Sequence, residues 1–409
     1  MAPSRIPRFV TVMTSIAALG VGRSVDRLEP KTSRLYTGKD PDITDIETLV
    51  KRKGYPFERH RVVTDDGYII ELHRIPWGRT GNEATGGPPQ RPPVLLMSGL
   101  LGFVLADHQY DVWIGNVRGN SYGKGHIKLK VRSKEFWNFS FHEFAVLDLP
   151  AQIDYVLGAT ERQAVPYVVR TLKRCVLRLT PIDSSSTSLN TVQVKAFAGL
   201  APFNKLSYMD IAVLTAFTPF AEKYMTRGHE VFLTEVLPRG AFYMTWAKTL
   251  CGLPTRGFCS FVADKVGDLG SKYINEVRER THLAARNCAT FVVTVFFFFF
   301  FIQLVTSSRP RKFDYGPRRN MLVYGQRVPT EYRLSNVRTD VGIFWSKGDH
   351  VITPPNVEEL IRELGPRVKM SHFIDDPYYT HVHFVVSLNN ADVLFGSLLS
   401  FLDRYADAG

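Results

Sequence analysis

Asp349 is the residue whose position most directly suggests chemistry. It follows a short apolar run, Val341 to Trp345, and precedes a segment that predicts a helix. An Asp just beyond a strand end lies where an α/β sheet places reactive groups. There a carboxylate can hold the tautomer of an imidazole, and His381 and His383 follow later in the chain. A solvated loop carboxylate or a helix cap is the alternative for Asp349, and a half-exposed loop residue is the alternative for His381.

The sequence lacks a serine nucleophile at the position where such a pair would activate its hydroxyl. A serine nucleophile on a tight strand-to-helix turn needs flanking glycines, in the pattern Gly-x-Ser-x-Gly. The pattern does not follow the strand predicted at 167–169, where the turn belongs; its one match in the 409 residues, Gly119-Asn120-Ser121-Tyr122-Gly123, lies in the loop after the strand predicted at 110–114. The serines at 184, 185, 186 and 188 have no flanking glycines and are typical of a loop.

The elements that would position these groups alternate between strands and helices, which predicts an α/β fold with a doubly wound, mostly parallel sheet. Alternation around Asp65-Asp66-Gly67 predicts a strand pair over 58–75. Short apolar runs predict buried strands at 94–97, 110–114, 167–169, 194–198 and 341–345. Helical patterns cover 43–52, 141–157 and 390–405.

Composition is that of a globular protein, with 44% hydrophobic and 22% charged residues. The net charge of +12 could suit an anionic surface, although a solvated basic surface is the simpler interpretation. No zinc-finger, RNP or P-loop pattern favours nucleic acid. Cys251 and Cys259 could close a small loop or could remain free thiols. Basic residues followed by the apolar stretch 9–22 indicate a weak signal peptide or a disordered leader.

Long ordered blocks of the sequence resemble the gastric, lingual and lysosomal acid lipases. They include KRKGYPFERHRVVTDDGYIIELHRIPWGR at 51–79, SGLLG at 98–102 and FVLADHQYDVWIGNVRGNSYGKGH at 103–126. Further blocks are EFWNFSFHEFAVLDLPAQIDYVL at 135–157, KAFAGLAP at 195–202, KFDYGP at 312–317 and the C-terminal GDHVITP and YYTHVHF segments. The resemblance implies an α/β-hydrolase with a helical cap, acting on triacylglycerols or sterol esters without a metal or an organic cofactor.

The same resemblance implies roles for individual residues. Asp349 would orient His381, His381 would act as the general base, and the backbone N–H of Leu100 would stabilise the oxyanion. Two positions depart from the family: Ser98 stands where the family has His, and His383 stands where it usually has Asp. We expect a protonated His383 to lower the pKa of His381 by like-charge repulsion.

The segment 169–193 replaces the nucleophile turn, which we expect near Leu172. One codon set for Arg170 to Cys175, read one base later, encodes Gly-His-Ser-Asn-Gly. We therefore interpret the segment as the product of two compensating frame shifts. The six consecutive Phe at 296–301 indicate translated intron over about 288–301, because a pyrimidine tract precedes splice acceptors; a membrane-inserting hairpin is the alternative.

The resulting organisation has four parts: a leader and linker at 1–40, the first part of the core at 41–205, a helical cap with the Phe-rich segment at 206–310, and the rest of the core at 311–409. The function implied is lipase activity at a lipid–water interface, secreted or lysosomal, with peripheral rather than integral membrane contact and no nucleic acid. The alternatives are a non-catalytic lipid-binding pseudoenzyme and an aberrant gene product.

Overall fold

The computed structural model describes residues 46–79, 91–97, 101–170, 193–203, 208, 311–381, 383–387 and 389–406. These residues form one sheet with helices packed against it. The strands in chain order are β1 (Glu58–Val63), β2 (Tyr68–Ile75), β3 (Pro93–Leu96), β4 (Asp111–Ile114), β5 (Gly125–His126), β6 (Val165–Arg170), β7 (Val194–Leu200), β8 (Asp340–Ser346) and β9 (Val368–Ile374).

Their order across the sheet is β1-β2-β4-β3-β6-β7-β8-β9, and the short β5 pairs with β2. The β1–β2, β2–β4 and β2–β5 pairs are antiparallel, whereas every pair from β4 to β9 is parallel. Strand β6 therefore lies between β3 and β7, near the centre of the sheet. This mostly parallel arrangement, with helices packed on it, is the α/β-hydrolase fold that the sequence predicted.

Burial explains which strands the sequence revealed most clearly. Every residue of β3 and β4 is buried, and β7 is buried apart from Lys195, so these strands are continuous apolar runs. The two ends of the sheet differ, because β1 and β9 alternate between half-buried and exposed positions and each contains a single buried residue.

The helices are α1 (Ile46–Arg52), α2 (Gly102–Asp107), α3 (Phe141–Glu143), α4 (Leu149–Thr160), α5 (Pro317–Tyr324), α6 (Pro354–Leu364), α7 (His383–Val386) and α8 (Gly396–Asp403). A π-helical segment, Phe144–Asp148, joins α3 to α4, and a second one, Ala391–Phe395, precedes α8. Helix α6 begins with Pro354, whose missing N–H is harmless at a first helical position, and ends before Gly365, which has a φ of 55°.

The structure confirms the strand and helix predictions that fall on described residues, and it adds β5, β9, α2, α5 and α7, which the sequence patterns did not predict. Several predictions concern residues outside the described part of the chain. They are the leader at 1–40, Ser98, Leu100, Leu172, the Cys251–Cys259 pair, the Phe run and, apart from Tyr208, the cap at 206–310. In the described part of the chain, no helix is both long enough and apolar enough to cross a membrane.

Candidate active site

The carboxyl edge of the parallel strands brings the sequence-predicted residues into one region. Asp349 lies three residues beyond the end of β8, and His381 lies beyond the end of the neighbouring β9. Because the two strands are parallel and paired from Val341 to Ser346, the loops that follow them leave the same edge of the sheet. A carboxylate and an imidazole that are 32 positions apart are therefore neighbours.

Asp349 is buried and both of its carboxylate oxygens have partners. Its Oδ2 lies 2.7 Å from Nδ1 of His381. Its Oδ1 accepts the backbone N–H groups of Val351 at 2.9 Å and of Ile352 at 2.7 Å. Those two bonds fix the plane of the carboxylate, so that Oδ2 is presented to the imidazole in one orientation.

His381 is 5% exposed, and its contact with Asp349 selects one tautomer. With the proton on Nδ1 donated to the carboxylate, the lone pair of the neutral ring is on Nε2. That nitrogen is the atom that accepts a proton from a serine hydroxyl in a Ser-His-Asp triad. The pair thus has the geometry of a general base and its orienting acid.

Hydrogen bonds on both sides hold the turn that carries His381. The hydroxyl of Ser346, the last residue of β8, donates to the carbonyl of Tyr379 at 2.8 Å. The Tyr379 hydroxyl donates to Oδ1 of Asn390 at 2.6 Å, and Nδ2 of Asn390 donates to the carbonyl of His383 at 3.0 Å. Sequence patterns did not identify this support, because its members come from a strand, a turn and the start of the C-terminal helical region.

His383 closes the same turn from the other side. The backbone N–H of Thr380 donates to Nδ1 of His383 at 2.7 Å, and the N–H of His383 donates back to the carbonyl of Thr380 at 3.0 Å. The first bond is one half of a helix capping box, with an imidazole in place of the usual carboxylate or amide, and the second is a backbone turn bond. His381 is the first residue inside that turn.

The expected like-charge effect of His383 on His381 is wrong. His383 is completely buried, and burial lowers its pKa to about 4. The ring is therefore neutral at the pH values at which an imidazole base works, and its Nδ1 acts as a hydrogen-bond acceptor rather than a second positive charge.

The sheet also shows where the remaining parts of a hydrolase site belong. Strand β6 ends at Arg170, paired with Leu200 of β7, and Leu172 follows two residues later. The backbone N–H of Met97 donates to the carbonyl of Val168, so the segment that leads to Leu100 starts beside the end of β6. Leu100 and Leu172 themselves lie outside the described residues, and their expected roles remain proposals.

The block after β4, one of those that carry the family resemblance, has a structural role in this molecule. Arg118 is 1% exposed, and its Nε donates to Oδ1 of Asp148 at 2.7 Å. Its Nη2 donates to Asp66, in the turn between β1 and β2, and its guanidinium lies 4.0 Å from the ring centre of Tyr68. One cation thus joins a hairpin, the end of β4 and the helix that follows.

Comparison with known proteins identifies relatives of this chain. Residues 46–103 match the family described as the partial alpha/beta-hydrolase lipase region. The gastric triacylglycerol lipase of Rattus norvegicus is 30% identical to this chain in an alignment 401 positions long, which covers 90% of this chain and 94% of that lipase. The chain belongs to the acid lipase family. Other members are similarly distant: the human gastric triacylglycerol lipase and a putative lysosomal acid lipase/cholesteryl ester hydrolase of Crotalus adamanteus are each 28% identical to it, and each comparison covers 91% of this chain and 94% of the relative.

Among solved structures, an esterase of Pyrococcus furiosus is similar to this acid lipase family member with a TM-score of 0.43 and 11% identity, over 90% of this chain and 96% of the esterase. No group of three or more His, Cys, Asp or Glu that could hold a metal ion occurs in the part of the chain that the structure describes.

Proposed function

We propose that this chain derives from a lipase, a carboxylic ester hydrolase that acts on neutral lipids through His381 and Asp349. The observation that carries the proposal is the buried 2.7 Å contact between Nδ1 of His381 and Oδ2 of Asp349, at the carboxyl edge of the sheet. Triacylglycerols or sterol esters are the substrates we expect, because the relatives carry those activities in their names.

In the proposed reaction, Nε2 of His381 takes the proton of a serine hydroxyl as its oxygen attacks the ester carbonyl. Asp349 stabilises the imidazolium that forms, and the backbone N–H of Leu100 stabilises the oxyanion. The imidazolium then gives its proton to the leaving alcohol. Water, activated by the same base, hydrolyses the acyl-enzyme and returns the serine.

The serine is the part that the printed chain lacks. The alternative phase places Gly-His-Ser-Asn-Gly at 170–174, with the serine at position 172. Because β6 ends at Arg170 and lies between β3 and β7, a turn at 170–174 would start at the centre of the carboxyl edge. This coincidence supports the compensating frame shifts as the origin of segment 169–193.

The nucleotide sequence across codons 165–195 provides the first test. We expect a second phase that encodes Gly-x-Ser-x-Gly over 170–174, and its absence contradicts the frame-shift explanation.

A fluorophosphonate probe provides the second test, because it labels only an activated serine. The chain as printed should stay unlabelled, and the protein carrying the alternative-phase segment, with Leu172→Ser, should be labelled. The matched control has the same segment with Leu172→Ala and should not react. A restored serine that stays unlabelled in a folded protein overturns the proposed role of the His381–Asp349 pair.

A non-catalytic lipid-binding protein is the second candidate, favoured by one observation: no Gly-x-Ser-x-Gly follows strand β6, and the one match in the sequence, at 119–123, lies between β4 and β5. Without its nucleophile a triad enzyme retains only the small rate enhancement from binding and the oxyanion hole. Binding of a fluorescent fatty-acyl ester by the folded chain without substitutions, and without hydrolysis, supports this candidate.

We further propose a secreted or lysosomal location, in keeping with the names of the relatives and the weak signal at 9–22. At a lipid–water interface, its membrane contact would be peripheral.

A further inference from the structure

Asn138 lies in a surface turn outside the proposed active site. It follows a short 3₁₀ helix, Glu135–Trp137, and its backbone N–H closes that helix on the carbonyl of Glu135. The sequence Asn138-Phe139-Ser140 is the one Asn-x-Ser/Thr in the 409 residues. Its middle residue is not proline, so it satisfies the requirement for N-linked glycosylation.

The three residues have opposite exposures. Asn138 is exposed, whereas Phe139 is 4% and Ser140 is 1% exposed. The aromatic neighbours that make the sequence look buried, Trp137 and Phe139, point into a small cluster with Tyr68 and Phe136. The Asn138 side chain therefore leaves the cluster and faces solvent.

A single contact fixes the orientation of the Asn138 amide. Nη2 of Arg319, in α5, donates to Oδ1 of Asn138 at 2.5 Å. An arginine can only donate, so the oxygen of the amide must face the guanidinium and the nitrogen must face away. Nδ2 is the atom to which an N-linked sugar is attached, and the glycosylated amide keeps its Oδ1 as an acceptor. The bond to Arg319 is thus compatible with an attached glycan.

Ser140 dictates when the modification can occur. In the folded chain its hydroxyl donates to Glu143 at 2.7 Å and accepts the N–H of His142 at 3.0 Å, as the N-cap of α3. A transferase that must engage this hydroxyl cannot reach it once the capping box has formed. Attachment therefore has to precede folding, which is the normal order for a chain that is modified while it enters the secretory pathway.

We propose that Asn138 carries an N-linked glycan, attached to Nδ2 before the 135–143 turn folds. The proposal uses the secretory location included in the proposed function. It does not depend on catalysis or on the missing serine.

The test is cell-free translation of the full chain behind a strong heterologous signal peptide, with microsomes. A glycosidase-sensitive mobility shift is expected for the wild type. The shift should be absent in Asn138→Gln and retained in Ser140→Thr, a matched control that keeps both the sequon and a hydroxyl N-cap. Peptide mass spectrometry after glycosidase treatment should find aspartate at 138. An unmodified Asn138 peptide in chains that have lost their signal peptide overturns the proposal.

Folding is tested separately, since the folded chain must accommodate the sugar. The glycosylated protein and Asn138→Gln, purified from the same secreting cells, should unfold at similar temperatures, because Nδ2 faces solvent. A glycan that prevents secretion, while Asn138→Gln is secreted, also contradicts the proposal. Glycosylation behind the heterologous signal but not behind residues 1–40 would contradict the proposed location and leave the modification site intact.

Discussion

The Asp349 carboxylate is fixed by two backbone N–H groups before it meets His381. Its orientation therefore does not depend on the serine, and the pair can form in a chain without a nucleophile. A Ser-His-Asp site loses its catalytic power when the carboxylate is replaced by an amide, because the imidazole then adopts the wrong tautomer.

In the protein that carries the alternative-phase segment with Leu172→Ser, we predict that Asp349→Asn lowers the rate of ester hydrolysis about 10⁴-fold. The measurement is kcat on a short-chain ester, with the extent of fluorophosphonate labelling as an independent readout. Asp375→Asn is the matched control: Asp375 lies in the adjacent loop and pairs with Lys347 on the surface, so its loss should leave kcat unchanged. Equal effects of the two substitutions would argue against a triad.

Arg118 is a single residue on which three elements depend. Its partner Asp148 is fully buried, so removal of the cation leaves a carboxylate without its counter-ion. We predict that Arg118→Met lowers the free energy of unfolding by about 3–5 kcal/mol. Urea denaturation of the chain with and without this substitution measures the change in the free energy of unfolding. Arg59→Met, at a half-exposed ion pair with Glu71, should cost less than about 1 kcal/mol. A loss at Arg118 no larger than that at Arg59 contradicts the structural role.

At the scale of elements, the turn from Thr380 to His383 makes the free energy of unfolding depend on pH. Burial lowers the pKa of His383 to about 4, whereas a histidine in the unfolded chain titrates near 6.5. Between these values the unfolded chain binds more protons than the folded one. The stability contributed by a neutral His383 is therefore complete above about pH 6.5 and is lost as the pH falls towards 4. The full loss is about 3 kcal/mol.

We predict that His383→Asn removes this part of the pH dependence. The Oδ1 of Asn can still accept the N–H of Thr380, but it does not titrate. The free energy of unfolding, measured from pH 7.5 to pH 4, should fall less steeply in the variant than in the wild type. His108→Asn, at an exposed histidine, is the control. An unchanged slope in His383→Asn shows that other groups set the acid sensitivity.

At the scale of the whole molecule, the sheet and the C-terminal helix are fitted together at Gly342. A Cβ on this residue of β8 would lie 3.0 Å from the ring of Phe401, a completely buried residue of α8. Interiors are close-packed, so a single extra carbon at this contact must displace either the ring or the strand. Strand β8 also leads to Asp349, and a displaced strand moves the carboxylate.

We predict that Gly342→Ala lowers the free energy of unfolding by about 1–3 kcal/mol. Gly158→Ala is the matched control: a Cβ there meets nothing within 4 Å, and its position inside α4 should make the change stabilising by about 0.5–1 kcal/mol. Thermal or urea denaturation distinguishes them by sign. A neutral Gly342→Ala means that α8 and β8 are packed less tightly than the structure indicates.

Strands that are buried on both faces were predicted from the sequence, whereas the exposed edge strand was not. Strands β3, β4 and β7 were predictable because burial on both faces requires continuous apolar runs. Strand β9 was not predicted, because an edge strand with accessible Lys369, Ser371 and Phe373 has no such run. That omission concerns the site directly, since the segment after β9 carries His381.

The amino-acid sequence alone determined the α/β class, the family and the identity of Asp349 and His381 as candidates, because these depend on local apolar patterns and on residue types in ordered blocks. It also determined that no Gly-x-Ser-x-Gly follows the strand that ends at Arg170. Only the tertiary structure decided that the two side chains meet at 2.7 Å, that His383 is a neutral cap rather than a second charge, and that Asn138 faces solvent. The physical reason is that contact and burial arise from the parallel pairing of strands distant in sequence, which no local pattern encodes.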